Sequence, residues 1–482
     1  MKVLALLIIV FLTIRCSQKK SSVDTQHLEY AFLNKDSLVN PNIQGIWKSI
    51  GSGYLLEARH DSLLLYSYTK NFCYKEKNNY LEGLLNSESQ FRRHGDTISL
   101  FLTDYDSKTE SLQASRNYIL IDTLPASCMT FTEMQQMGAE KQLALYLETM
   151  EENYAFTQER QVDWDSIRTH YSNQVSSTTT NEELFQLLGE IATLTEDHHT
   201  KVIAQDGRAL QFQTVPTAQI VIDSFNNQSR ITDLNDFFTS FFAKNYQHIS
   251  DTLLAGNSHK VLNDKIEWGT LNSTIGYIHI HSFTGFGQGV PRKQQIDSVN
   301  FHMEKAIRTL QEKKAIIVDV SFNFGGYDAS ALTVASFFTD EPIHAFTSQV
   351  YQDGKFYNES EIYVQPAKNI AFTKPVYLVT TDISRSAAEG FAMMMDALPN
   401  VTLVGTNTLG ILSGMLGKSI STFYTTSSNQ RLLDPNGKFY EAIGVKPDLP
   451  INVFNRPDVF EAHMQTIREV MNIIEQDIKT QP

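Results

Sequence analysis

Ser384-Arg385-Ser386-Ala387-Ala388-Glu389 follows the apolar run Val376-Tyr377-Leu378-Val379, and Asn323-Phe324-Gly325-Gly326 follows another, Ile316-Ile317-Val318. Short apolar runs rich in β-branched residues read as buried strands. Beyond Ser386, Phe391, Met394, Met395 and Leu398 fall at i, i+3, i+4 and i+7. That spacing predicts a helix buried along one face and starting near Ser386. Free N–H groups and the helix dipole at such a start favour developing negative charge. A Gly-Gly turn at a second strand end offers further backbone donors. One segment supplies a hydroxyl nucleophile and the other an oxyanion site, which together suit acyl transfer. Serine is also a preferred N-cap, so the helix start alone leaves Ser386 a purely structural role.

Strand and helix signals alternate over residues 271–452. Ile275–Ile280, Ala315–Val320, Val376–Thr380 and Val401–Val404 read as strands, and Ile296, Val299, Met303, Ile307 and Leu310 as a helical stripe. This alternation predicts an α/β core. Phe460, Met464, Ile467, Met471 and Ile474 predict a C-terminal helix within 453–482, with Pro457 near its first turn. Over 129–200 the period is helical: Leu184, Leu187, Leu188 and Ile191 share a face behind a capping box at Thr180 and Glu183. Trp164 is expected to anchor this helical bundle. Residues 41–128 carry short β-like runs, such as Ser62–Tyr66 and Thr97–Leu102, broken by turns at Gly51-Ser52-Gly53 and His94-Gly95-Asp96. They predict an antiparallel β-module. Residues 201–270 form a middle region with no clear period.

The chain has 482 residues, more than one ordinary core. Its net charge of −14 leaves no basic surplus for nucleic acid. At the N-terminus, Lys2 precedes an apolar run of 12 residues, Val3 to Ile14, then Cys16 and a polar stretch. Residues 1–16 read as a signal peptide, and 17–40 as a polar tether. The run is short for a membrane span. The segment resembles a bacterial lipoprotein signal, which implies lipidation of Cys16 and a membrane anchor, although Arg15 stands where that pattern has a small residue. Of the other cysteines, Cys73 and Cys128 could be bridged in an exported protein or remain separate thiols.

A serine nucleophile needs a base, and a histidine base needs an orienting carboxylate. His198 and His199 lie in Leu194-Thr195-Glu196-Asp197-His198-His199-Thr200, and Glu441 lies in Tyr440-Glu441-Ala442-Ile443-Gly444-Val445-Lys446-Pro447-Asp448. By themselves a histidine pair and a lone glutamate are more often structural or solvated.

Five segments in chain order resemble the tail-specific (C-terminal processing) serine peptidase family, which includes the tricorn core protease and the interphotoreceptor retinoid-binding modules. Asp197–Thr200 is similar to its D-x-H-T, Asp319–Gly326 to D-L-R-x-N-x-G-G, and Ser384–Glu389 to S-A-S-A-A-E. Val404–Gly410 is similar to V-G-E-x-T-x-G, and Gly444–Asp448 to G-V-x-P-D. The resemblance covers about residues 130–452. It implies a ClpP/crotonase-like ββα core, Ser386 as nucleophile, and oxyanion donors from Gly325, Gly326 and Ala387. It makes His199 the base. Where one branch has a lysine after T-x-G this chain has Ile411, and the next lysine, Lys418, reads as an exposed strand or loop residue. The resemblance therefore implies a Ser386–His199–Glu441 triad hydrolysing peptides, with no metal or organic cofactor. No complete PDZ domain is expected in 201–270, and Phe322 is expected to make the cleft less polar. The alternatives are a non-catalytic peptide- or apolar-ligand-binding protein on the same fold, and thioester chemistry of the crotonase kind.

Overall fold

The structure, a computed structural model, describes residues 29–31, 38–76, 90–101, 116–228 and 230–480. The signal-peptide reading of 1–16, its Cys16, and most of the 17–40 tether lie outside the described residues. Among the described residues, no helix is long and apolar enough to cross a membrane.

A seven-stranded sheet holds the centre, in the order His259–Val261, Ile266–Thr270, Ile275–Ile280, Ala315–Asp319, Val376–Thr380, Val401–Gly405, Leu449–Pro450. The first two pairings are antiparallel and the rest parallel. Parallel neighbours need crossovers. Helices Arg292–Leu310 and Ala387–Asp396 make two of them, and helix Asp328–Ala335 with the hairpin Ile343–Gln352/Lys355–Val364 lies within a third. Side chains alternate across each strand. Ile316 and Val318 pack with Val299, Met303, Phe391 and Met394. Ala315 and Ile317 pack on the other face with Met464, Ile467 and Val470 of the C-terminal helix. With both faces covered, a continuous apolar run is what such a strand requires. Each fully buried large aliphatic side chain contributes roughly 1.5–3 kcal/mol.

The C-terminal helix is Ala462–Thr480, so Phe460 and Pro457 precede it. Phe460 packs edge-on against Phe237 and under Lys244 instead of extending the helical stripe. The middle region contributes helices Pro216–Asn226 and Leu234–Gln247. Its strands Lys201–Ile203 and Ala209–Gln211 join Phe423–Ser428 and Met415–Ile420 in a four-stranded antiparallel sheet. Helices Ala139–Asn153, Trp164–Ser172 and Asn181–Thr193 pack nearby, the last capped reciprocally by Thr180 and Glu183.

Described strands from Glu29 to Met129 form a nine-stranded sheet. Glu29–Ala31, inside the stretch read as a tether, pairs with Gln90–Arg92. Cys73 and Cys128 are disulfide-bonded where Cys73–Lys75 meets Cys128–Met129. Lys418 corrects the expectation of an exposed side chain. It is 1% exposed, and its Nζ donates to Gly53 O at 2.6 Å while lying 3.9 Å over the Tyr54 ring. It joins this sheet to strand Met415–Ile420.

Candidate active site

Because Ala315–Asp319 and Val376–Thr380 are adjacent and parallel, the loops leaving their C-terminal ends emerge side by side. In open α/β sheets that edge is where ligands bind. One loop holds Asn323–Gly326 and the other Ser384–Ser386.

Ser386 is the N-cap residue of helix Ala387–Asp396, with φ 57° and ψ −124°. Ordinary capping needs no such backbone: Thr130 and Thr180 cap their helices at φ −67° and −74°. A left-handed φ on serine costs of order 1–3 kcal/mol, and such strain collects at functional sites. Ser386 is partly exposed, while Ser384 is fully buried. Ser384 Oγ donates to Val320 O at 2.7 Å and accepts from Thr381 N at 3.0 Å. The two serines are thus distinguished: Ser384 fastens the loop to the neighbouring strand.

Glu389, unassigned by sequence reasoning beyond its place in the motif, fixes the Ser386 turn. Its carboxylate accepts from Ser386 N, Thr408 Oγ1, Gly410 N and Ile411 N at 2.6–3.1 Å. Burial pushes its carboxyl up to about 7 against the pull of these donors. The Ser-x-x-Glu spacing, that of a capping box, was the available signal.

The Gly-Gly turn lies against Ser386. A Cβ on Gly325 would stand 2.8 Å from Ser386 Cβ and 3.2 Å from Ala387 N, and one on Gly326 would stand 2.4 Å from the Phe283 carbonyl carbon. Both glycines have φ in the left-handed range, 96° and 141°. The Gly325 N–H is already used, donating to Asn323 Oδ1 at 2.8 Å. Among the described residues the N–H groups of Gly326 and Ala387 meet no acceptor.

His199 is held beside the four-stranded sheet, where the Arg385 charge acts on it, with no hydrogen bond to Ser386 among the described residues: Thr426 Oγ1 donates to its carbonyl at 2.6 Å, and Asp197 Oδ1 accepts its N–H at 2.8 Å. Its ring is buried, and Nδ1 has no hydrogen-bond partner. Burial, with the charges of Lys201, Arg385 and His198, lowers its pKa to about 4, against an opposing pull from Asp197. His198 instead points Nε2 at Thr214 O, 3.2 Å away, and meets the edge of Phe212.

Glu441 is buried, but its carboxylate is spent elsewhere than on His199. It accepts from Arg160 at 3.0 Å, Leu412 N at 2.8 Å and Ser413 N at 3.1 Å. Burial and the Asp197 charge push its carboxyl well up, with Arg160 opposing. Arg160 also donates to Glu196 O and Gly410 O, so it ties the histidine segment to the loop beyond Thr408. No local pattern marks Arg160 in the sequence. Phe322 does not line the cleft. It is fully buried among Phe241, Phe242, Tyr246 and Phe454, which corrects the expectation that it makes the cleft less polar. A cavity of about 390 Å³ opens beside Thr408, lined by Ile220, Leu409, Ile443, Val453 and Phe454 among others.

Residues 274–451 match peptidase family S41, and residues 146–193 match the tricorn protease C1 domain. A crystal structure of a candidate peptidase from Parabacteroides merdae ATCC 43184 is similar at TM-score 0.56 and 22% identity, over 70% of this chain and 97% of that one. Mature CPAF is similar at TM-score 0.50 and 11% identity, over 71% of this chain and 98% of that one. The mixed α/β architecture is therefore that of S41 proteases. The S41 match spans Gly325, Ser386 and Glu441, the C1 match covers helices leading to His199, and together they support a serine peptidase related to the tail-specific proteases.

Proposed function

We propose that the chain is an endopeptidase in which Ser386 is the nucleophile and His199 the general base. The strained backbone of Ser386 at a helix start, pressed against the Gly325-Gly326 turn, carries this reading. Ser386 Oγ attacks the peptide carbonyl carbon as His199 takes its proton. The oxyanion is stabilised by N–H groups of the Gly325-Gly326 turn and of Ala387; Gly326 and Ala387 are the donors not otherwise engaged. His199 then protonates the leaving amine, and water hydrolyses the acyl-enzyme by the reverse sequence. The lowered pKa of His199 keeps it neutral, as a base must be. Glu441 orients His199 in this reading, which requires it to exchange part of its Arg160 or backbone pairing for His199 Nδ1 when substrate closes the site.

The surrounding reading follows the same line. The catalytic region takes the ClpP/crotonase-like ββα arrangement, and the chain works in the bacterial envelope, facing the periplasm, held by a lipid on Cys16. The Cys73–Cys128 disulfide supports an oxidising compartment.

Fluorophosphonate labelling of the full chain tests the site. Covalent labelling at Ser386, lost in Ser386→Ala and in His199→Ala, is the expected result. A folded wild-type protein that resists the probe would rule out an activated serine.

A further inference from the structure

Arg385 stands directly before Ser386, and its main chain is part of the site. Its N–H donates to Asn323 O at 3.2 Å, and its carbonyl oxygen packs against Gly325. Its guanidinium lies 4.6 Å from the centre of the Phe324 ring. Phe324 is 41% exposed, so this stacked pair borders solvent at the mouth of the Gly-Gly turn.

Among the described residues, the Arg385 side chain has neither an ion pair nor a hydrogen bond. Four other arginines are paired with carboxylates: Arg160 with Glu441, Arg208 with Glu182 and Asp206, Arg168 with Glu151, Arg456 with Glu469. Glu389, the acid whose charge acts on Arg385, is committed elsewhere, as is Asp197 beside His199. Glu389 faces the backbone of Gly410 and Ile411, and Asp197 holds His199 N and Thr200 Oγ1. Lys201, close enough for the Arg385 charge to lower its pKa, adds a second cation. A chain of net charge −14 thus keeps local positive charge beside its reactive serine.

A half-buried guanidinium has lost hydration that no hydrogen bond among the described residues restores. Its planar fork matches a carboxylate, and stacking on an aromatic ring fixes the plane of that fork. We propose that Arg385 is a specificity-determining residue that binds a carboxylate of the substrate peptide close to the scissile bond. The carboxylate is an Asp or Glu side chain, or the terminal α-carboxylate. An extended peptide advances roughly 3.3 Å per residue. Since Arg385 adjoins Ser386, the carboxylate belongs within about two residues of the cleaved bond. This proposal rests on the peptidase reading of Ser386.

The test uses synthetic decapeptides carrying Asp, Glu, Asn or Gln at each position in turn, each made as the C-terminal acid and as the amide. They are incubated with the full wild-type chain, Arg385→Gln and Arg385→Lys, and cleavage is read by mass spectrometry. The wild type should favour carboxylate-bearing peptides by about tenfold or more in kcat/KM, as loss of a charged hydrogen bond implies. Arg385→Gln should collapse that ratio towards one, and Arg385→Lys should keep part of it. Dependence on Asp or Glu over Asn or Gln identifies a side-chain carboxylate; dependence on acid over amide identifies the terminus. Equal cleavage of all four series by the wild type, or a ratio that survives in Arg385→Gln, overturns the proposal. Fluorophosphonate labelling run alongside separates the two readings. If Ser386 does not label, the peptidase reading fails, and anisotropy of the same peptides on Ser386→Ala still decides whether Arg385 selects carboxylates.

Discussion

Acidification should leave Ser386 reactive well below the pH at which an ordinary histidine base fails. His199 is buried, and Lys201, Arg385 and His198 add positive charge around it, so its pKa falls from 6.5 to about 4 despite Asp197. At pH 5.5 an ordinary imidazole would be about one-tenth neutral, whereas this one would be almost wholly neutral, roughly a tenfold difference in competent base. The assay is the second-order rate of fluorophosphonate labelling from pH 4 to 8, with Ser386→Ala as blank and circular dichroism at each pH. The rate should stay flat down to about pH 5 and halve near 4. Arg385→Gln removes one of the cations and should move the midpoint upward. The same depression has a stability cost. His199 and His279 both sit at about 4 when folded, so between 6.5 and 4 the unfolded chain binds more protons than the native one. Stability therefore falls as pH falls through that window, by about 3 kcal/mol for each histidine. A labelling midpoint near 6.5 in a protein that remains folded would refute the reasoning.

Ser384→Ala should lower stability by about 1–3 kcal/mol, because the buried Thr381 N–H loses its partner and Val320 O keeps only Asn323 N, yet still label; Ser386→Ala should be stable and unlabelled. Gly325→Ala should abolish labelling and lower the melting temperature, since its methyl would lie 2.8 Å from both Arg385 O and Ser386 Cβ; a labelled, stable variant would mean that the turn sits elsewhere. Lys418→Met should cost about 1–3 kcal/mol through loss of the charged hydrogen bond to Gly53 O, which keeps only its Tyr68 N–H partner, but retain labelling. Loss of labelling in a folded Lys418→Met protein would restore a lysine base. Reduction of Cys73–Cys128, which span 55 residues, should destabilise the N-terminal sheet by up to about 4 kcal/mol in chemical denaturation.

The parts legible in the sequence are those whose physics is local or strongly periodic. Ala315–Asp319 and Val376–Thr380 are buried on both faces, so their apolar runs are uninterrupted; the helix after Ser386, expected to bury one face, is buried all round from Ala387 to Met395. Ser386 and the two glycines stand at the ends of those runs, which is why motif and geometry coincide there. Illegible features depend on distant partners. Arg160 meets Glu441 across 281 residues, and Lys418 meets Gly53 across 365. Neither position is unusual within its own segment. Helices Pro216–Asn226 and Leu234–Gln247 bury Val221, Phe237 and Phe241 against Phe322 and Phe454. Without those partners the pattern reads as irregular, and Phe322 reads as a cleft residue. The early onset assigned to the C-terminal helix has the same cause: Phe460 matches the stripe in spacing but is drawn away to Phe237.

The segment Gly410–Ser413 links the two carboxylates of the site. Its first two N–H groups bind Glu389, which holds the Ser386 turn, and its last two bind Glu441, the acid proposed to orient His199. Four successive donors on one short segment make its position common to nucleophile and base. Strand Met415–Ile420 starts two residues later and carries Lys418 and Ser419 into the N-terminal sheet, where Ser419 bonds to Glu76 and Tyr54 to the Gly417 carbonyl. The N-terminal sheet is therefore fastened to the same stretch of chain that sets both carboxylates. A shift at that seam would displace 410–413 and alter both contacts together, because backbone donors cannot follow one carboxylate without leaving the other.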